Sequence, residues 1–231
     1  MMDLAFPLSG CCDTVPNSLE QIMKAPNGNF GVIVAEDKHR MLLASILFQM
    51  AVSVNNNVYF IMKNPFDQPP YKVHGMPEHH FVNYTMIQCI YPKDFMQLSM
   101  FLTVLGGQKD EKLPKIVVLE DLDSFLAAEN KSEKIQQKSK ILTLLRNLRC
   151  QTMVSVQDDK YFPTSKLHLL ADEVWKFQKF TLSTTLHDGS QILIDYTTRR
   201  DLILLKQIRH EYFKPVPNSK WPNVNIEHNL S

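Results

Sequence analysis

The sequence predicts an α/β fold, a parallel sheet flanked by helices and finished by a C-terminal antiparallel β meander. Three observations predict it. Short apolar runs rich in β-branched residues alternate with helical stretches from residue 30 to residue 156, the pattern of strand–helix–strand units. Beyond residue 172 apolar runs follow one another with no helix between them. The chain has 231 residues, 44% hydrophobic and 21% charged, which supplies apolar mass for one buried core and short ends.

The elements follow in order. Phe30–Ala35 is an apolar run of buried-strand type, and Asp37 is placed to cap the next helix. Met41, Leu42, Ala44, Ser45, Leu47, Phe48, Ala51 and Val52 recur at helical spacing until Asn55-Asn56-Asn57. Val58–Met62 reads as the second strand, and 63–77, with Pro65, Pro69 and Pro70, as a loop. Asn83–Tyr91 reads as the third strand. Pro92 then opens a helix through Leu105, stopped by Gly106-Gly107. Ile116–Leu119 is the fourth strand and ends in Glu120-Asp121. Residues 129–140 read as a polar, Lys-rich connection before a helix with Leu142, Leu145 and Leu148. Thr152–Val156 is the fifth strand and runs into Gln157-Asp158-Asp159. Glu173–Leu186, Gln191–Tyr196 and Leu202–Ile208 complete the meander, with a hairpin signal at Asp188-Gly189. This divides the chain into an N-terminal segment 1–28, a core 29–210 and an irregular tail 211–231.

Charge and composition narrow the function. Lys+Arg is 25 against Asp+Glu 24, a net charge of +1, so no global field advertises nucleic acid or a basic partner. Glycine is scarce at 7 of 231, against an average of about 7%. A phosphate loop needs a glycine, a second one five residues on, then Lys and Ser/Thr. No glycine here has another five residues later, and no GxGxxG occurs. The backbone cradle for nucleotide phosphates is therefore missing. Cys11, Cys12, Cys89 and Cys150 have no metal-ligand spacing. His79-His80 with Glu78 and His74 sit on a Pro-rich loop with no fixed fourth ligand, and no metal is expected. With no basic and apolar leader pattern and no apolar run of about 18 residues, the reading is a cytoplasmic or nuclear protein with no membrane span.

Ligands of open parallel sheets gather at the carboxyl ends of the strands. Three polar clusters fall there: Glu36-Asp37-Lys38-His39-Arg40, Glu120-Asp121 and Gln157-Asp158-Asp159. Four apolar residues followed by acid describe a Walker B strand, whose carboxylate holds Mg²⁺ beside a nucleotide; a solvated strand end fits the same residues. Lys38 or Arg40 is placed to face a phosphate, against the repulsion of Glu36 and Asp37. Lys131, Lys134, Lys138 and Lys140 stud one connection, and Lys160, Tyr161, Phe162 and Lys166 the next. Lysines interleaved with aromatics suit a phosphate backbone and stacked bases; a solvated face fits them too.

The order of these pieces resembles the RecA-like recombinase core of eukaryotic paralogs. The resemblance rests on the first strand and helix, the strand Ile116–Asp121, the strand ending in Gln157 and the closing meander. Locally it is similar, over residues 30–180, to the SWIM-protein-associated ATPase-like subunits of the Shu complex. The segments that carry this are Ile87-Gln-Cys-Ile-Tyr91-Pro92, Phe125-Leu-Ala-Ala-Glu129, Ile141-Leu-Thr-Leu-Leu145 and Val154-Ser-Val-Gln157. The resemblance implies a RecA-like fold in a nuclear hetero-oligomer. The subunit would pair with a SWIM-domain zinc-finger protein, bind single-stranded DNA, contact the recombinase and its paralogs, and support recombinase filaments in homologous recombination repair of DNA damage.

The family's phosphate loop falls on residues 35–41, where its glycines are lost. The expectation is a pseudo-ATPase with no catalytic residue and no required ATP or Mg²⁺. Lys38, Arg40, Glu120, Asp121 and Gln157 would form its degenerate nucleotide site, Gln157 coupling nucleotide to DNA. Lys131, Lys134, Lys138, Lys160, Tyr161 and Lys166 would contact DNA. Phe125 and Ala128 resemble the Phe-x-x-Ala self-association motif and would bind a partner, although their place after the fourth strand also suits a packed helix start. Two alternatives stand beside this reading: a RecA-like Elongator-type subunit (its sixth) in tRNA wobble uridine modification, and a divergent ATPase using Lys38 or Arg40.

Overall fold

A computed structural model describes residues 29–36, 40–53, 56–73, 85–127, 130–160, 162–186, 189–200 and 202–211. Lys38, Ala128, Tyr161, the histidines at 74, 79 and 80, Cys11, Cys12 and the chain ends 1–28 and 212–231 lie outside the described residues.

The centre of the molecule is a ten-stranded sheet in the order β3-β10-β9-β8-β7-β1-β6-β5-β2-β4. The strands are β1 (Phe30–Ala35), β2 (Val58–Ile61), β3 (Lys72–Val73), β4 (Ile87–Ile90), β5 (Ile116–Leu119), β6 (Gln151–Gln157), β7 (Glu173–Gln178), β8 (Thr181–Thr185), β9 (Gln191–Arg199) and β10 (Leu202–Glu211). From β7 through β4 every pairing is parallel. β7 to β10 pair antiparallel in succession, so the meander extends the parallel sheet.

Both faces of the parallel part are covered, which explains its nearly continuous apolar strands. β1 is buried along its whole length, with alternate residues entering opposite cores. Phe30, Val32 and Val34 pack on one side, Ile33 and Ala35 on the other. One face carries α1 (Arg40–Ser53), whose residues are buried almost all round, as a helix with apolar residues on every side must be. The other face carries α2 (Phe95–Gly106), α3 (Lys131–Arg146) and α4 (Thr164–Leu170).

The structure moves several expected boundaries. α2 starts at Phe95, because the Asp94 carboxylate accepts the Gln97 N–H at 2.9 Å and caps the helix there; Pro92 precedes it. α3 starts at Lys131. Asn130 caps it by accepting the Glu133 N–H at 2.8 Å, so the Lys-rich stretch is the first half of a helix and not a connection. The expected strand Glu173–Leu186 is a hairpin, β7 and β8, turning at Lys179-Phe180. β3 and α4 were not expected. β10 reaches Glu211, one residue into the expected tail.

Candidate functional site at the strand ends

β1, β6 and β5 are neighbours in the sheet, so their carboxyl ends lie side by side. Glu36 follows β1, Gln157 ends β6, and Glu120-Asp121 follow β5. Arg40 opens α1 above them. These residues, with Ser155 and Val156, line an open depression of about 260 Å³. Of the five residues expected at a nucleotide site, the structure thus brings four together: Arg40, Glu120, Asp121 and Gln157.

Arg40 joins the two carboxylates. Its Nε donates to Glu120 Oε1 at 3.0 Å and its Nη2 to Glu120 Oε2 at 3.4 Å. Its Nη1 lies 3.1 Å from Asp121 Oδ2. Both carboxylates are buried, while the arginine is partly open to solvent. Asp121 has a left-handed backbone, φ 45°, a conformation short polar residues tolerate better than most. Its N–H donates to Ser155 Oγ at 2.7 Å, and Gln157 Nε2 donates to its Oδ1 at 3.4 Å. Burial pushes the Asp121 carboxyl up to about 6, opposed by Arg40 and helped by the charges of Glu120 and Asp123. Glu36 is held from the other side, accepting from Gln178 Nε2 at 2.6 Å.

A second layer lies directly behind. Lys138 of α3 donates to both oxygens of Asp123, at 2.9 and 3.0 Å, and to the Gln157 carbonyl at 3.5 Å. Asp123 Oδ2 also accepts the Gln157 N–H at 2.7 Å. The Lys138 ammonium sits 5.6 Å from the Phe162 ring centroid. This pair ties the turn after β5 to the end of β6. Sequence reasoning missed Asp123 and Ser155 altogether and put Lys138 on DNA. A signal was present: Ile135, Lys138, Ile141, Leu142 and Leu145 fall at helical spacing, so Lys138 occupies a core position in an apolar stripe. Its side chain is 2% exposed and does not reach DNA in this fold.

The other expected DNA lysines lie apart from this network. Lys131 is exposed and Lys134 half-buried on the first turn of α3, Lys160 is exposed after β6, and Lys166 is exposed on α4, 6.0 Å from the Phe162 ring. Phe125 is fully buried in the core under α2 and α3. It packs, and it offers no ring to a partner.

The chemistry of the depression disfavours a metal–nucleotide group. Among the described residues its charged lining is Glu36, Glu120 and Asp121 against Arg40. Phosphate oxygens need N–H donors and positive charge; here three carboxylates outnumber one guanidinium, which is already paired with two of them. The acids that would hold Mg²⁺ already have a cation. No cluster of three or more metal-ligating side chains occurs among the described residues, and no helix among them is long and apolar enough to cross a membrane.

Solved structures share this architecture. The chain matches a protein described as "Crystal structure of the RadB recombinase" with a TM-score of 0.53 and 14% identity, over 81% of this chain and 96% of that one. The fold is RecA-like. No family model and no curated protein matches the sequence. The RecA-like sheet explains the placement of the candidate site, since its parallel strands deliver Glu36, Glu120, Asp121 and Gln157 to one edge from residues far apart in sequence.

Proposed function

We propose that this chain is a non-hydrolysing RecA-like subunit that pairs with a SWIM zinc-finger protein, binds single-stranded DNA with it and supports recombinase filaments in homologous recombination repair in the nucleus. The observation that carries the reading is the bridge from Arg40 to Glu120 and Asp121. A half-exposed guanidinium paired with both carboxylates, at the strand ends expected to take magnesium and nucleotide, supports a structural subunit over an ATPase. The RecA-like fold and the loss of phosphate-loop glycines support the same reading.

DNA contact in this reading falls to Lys160 and Lys166, with Lys131 and Lys134 on the first turn of α3 and with Tyr161 as a stacking candidate. A net charge of +1 makes binding by the isolated chain weak, so the partner supplies much of the surface. The test is co-expression with a SWIM zinc-finger protein, followed by anisotropy with single-stranded oligonucleotide. A stable complex is expected. Lys160→Ala/Lys166→Ala should lower the salt dependence by about 0.7 log unit per lost phosphate contact per decade of salt. Co-purification with two other RecA-like subunits in place of the SWIM protein would transfer the chain to the Elongator-type reading.

A further inference from the structure

The meander brings cations to the same edge of the sheet as the candidate site, from residues that the candidate site does not use. β7 runs parallel to β1, so its turn into β8, Lys179-Phe180, lies at the carboxyl edge. β8, β9 and β10 then alternate in direction, which returns the chain to that edge at Arg199-Arg200. β3 runs parallel to β10 and so begins there, at Lys72. Lys72 stands beside Leu202, and Leu202 beside Arg199. That row spans two strand spacings, about 10 Å, and sets Lys72 and Arg199 on one face. Val73 and Ile203, one residue on, enter the core under α1. Lys72 and Arg199 therefore face the other way, where the second core contains no residue of β8, β9 or β10.

Lys72, Lys179, Arg199 and Arg200 are all exposed. The ion pairs among the described residues involve none of the four. Asp201 follows Arg200 in the sequence, so the strip remains net positive in a chain whose total is only +1. A large apolar ring stands among these cations: Phe180 is 38% exposed. The turns that carry them are strained. Lys179, Phe180 and Arg200 hold φ of 50°, 64° and 56°, a region that disfavours every side chain and that glycine or asparagine would occupy at less cost. Strain of this kind gathers where a chain contacts ligands. Here it holds a lysine, a phenylalanine and an arginine at the tips of two hairpins.

We propose that this strip binds single-stranded nucleic acid, with Lys72, Lys179, Arg199 and Arg200 holding phosphates and Phe180 stacking on a base. Charge complementarity selects a polyanion. The exposed ring among the cations selects one with unpaired bases, because a base in a duplex has no free face to stack. An acidic peptide would use the cations and leave the strained Phe180 without a role. Exposed hydroxyls of Thr197 and Thr198 adjoin Arg199 and suit phosphate oxygens as well. The inference rests on the single-strand reading of the proposed function and deepens it. It moves the principal contacts from Lys160 and Lys166 to the hairpin tips of the meander, a surface that lysine-and-aromatic runs in the sequence do not mark.

The test titrates the full chain against a fluorescent single-stranded oligonucleotide, from low to physiological salt. Lys179→Asn/Arg199→Gln/Arg200→Asn keeps residues that tolerate positive φ where the backbone needs them. It should weaken low-salt binding by about tenfold or more and lower the salt dependence by about 2 log units per decade, for three lost phosphate contacts. Phe180→Gly relieves strain, so the circular dichroism spectrum should not change; binding should fall by about fivefold or more with the salt slope intact. Wild-type affinity in both variants would overturn the proposal, as would polyglutamate competing as well as the oligonucleotide. Loss of binding in Lys160→Ala/Lys166→Ala alone would also overturn it while leaving the single-strand reading in place. No binding by the chain alone would remove the strip and leave that reading to the SWIM complex; no binding by the complex either would remove both.

Discussion

Lys138 Nζ lies 2.9 Å from Asp123 Oδ1, and both side chains are buried to 2% exposure. The pair closes a ring that includes both backbone polar groups of Gln157. It therefore fixes the end of β6 against the turn after β5, and with it the wall of the candidate site.

Breaking that pair is costly because the partner left behind is a buried charge. Lys138→Met should destabilise the protein by about 3–5 kcal/mol, measured by urea unfolding. In Asp123→Asn/Lys138→Met the asparagine still accepts the Gln157 N–H and no charge remains. The double variant should recover most of the loss, to within about 1–2 kcal/mol of wild type.

Asp121 gives a pH dependence of definite sign. Its folded carboxyl sits at about 6 and its ordinary value is 3.8. Below about pH 4 both states hold the proton and the group costs nothing. Between these values the unfolded chain ionises first, so the contribution of Asp121 to stability falls as pH rises and is fully unfavourable above about pH 6. Asp121→Asn removes the titration and tolerates the left-handed backbone. Its stability relative to wild type should rise by about 2–3 kcal/mol between pH 4 and pH 7.5, at about 1.4 kcal/mol per pH unit. A difference that stays flat across that range would contradict the buried, proton-holding carboxyl.

The hairpin between β7 and β8 turns on two non-glycine residues with positive φ, Lys179 at 50° and Phe180 at 64°. Two-residue hairpins favour Asn-Gly at such positions. Lys179→Asn/Phe180→Gly should raise stability by about 1 kcal/mol, relief of left-handed strain being partly offset by the greater freedom of glycine in the unfolded chain. Thermal unfolding of the two proteins side by side checks it.

The same hairpin shows where the sequence stopped being legible. Its turn has no glycine, asparagine or proline, so β7 and β8 read as one long strand. At Asp188-Gly189 the expected signal was present, and β8 and β9 do pair antiparallel there. The parallel strands were legible because burial on both faces demands apolar runs, and β1, β2, β5 and β6 all carry them. The meeting of Arg40 with Glu120 and Asp121 was only half legible. Strand ends could be placed on one edge of the sheet, but eighty residues separate the partners and no local pattern records which way a side chain turns. Lys138 was misread for a related reason: a lysine on a stripe of Ile and Leu looks like surface until a buried acid is found opposite it.

The central claim is that Arg40 stands in for the metal and nucleotide of a RecA-like site, and a thermal-shift titration with ATP and Mg²⁺ tests it most directly. The account predicts a melting temperature that does not move with nucleotide, with or without Mg²⁺, and no hydrolysis above background. Specific binding at a hundred times the dissociation constant would stabilise the fold by about 2.7 kcal/mol. A saturable, Mg²⁺-dependent rise of that size, lost in Glu120→Gln, would contradict the account and make the chain a nucleotide-binding ATPase-type subunit.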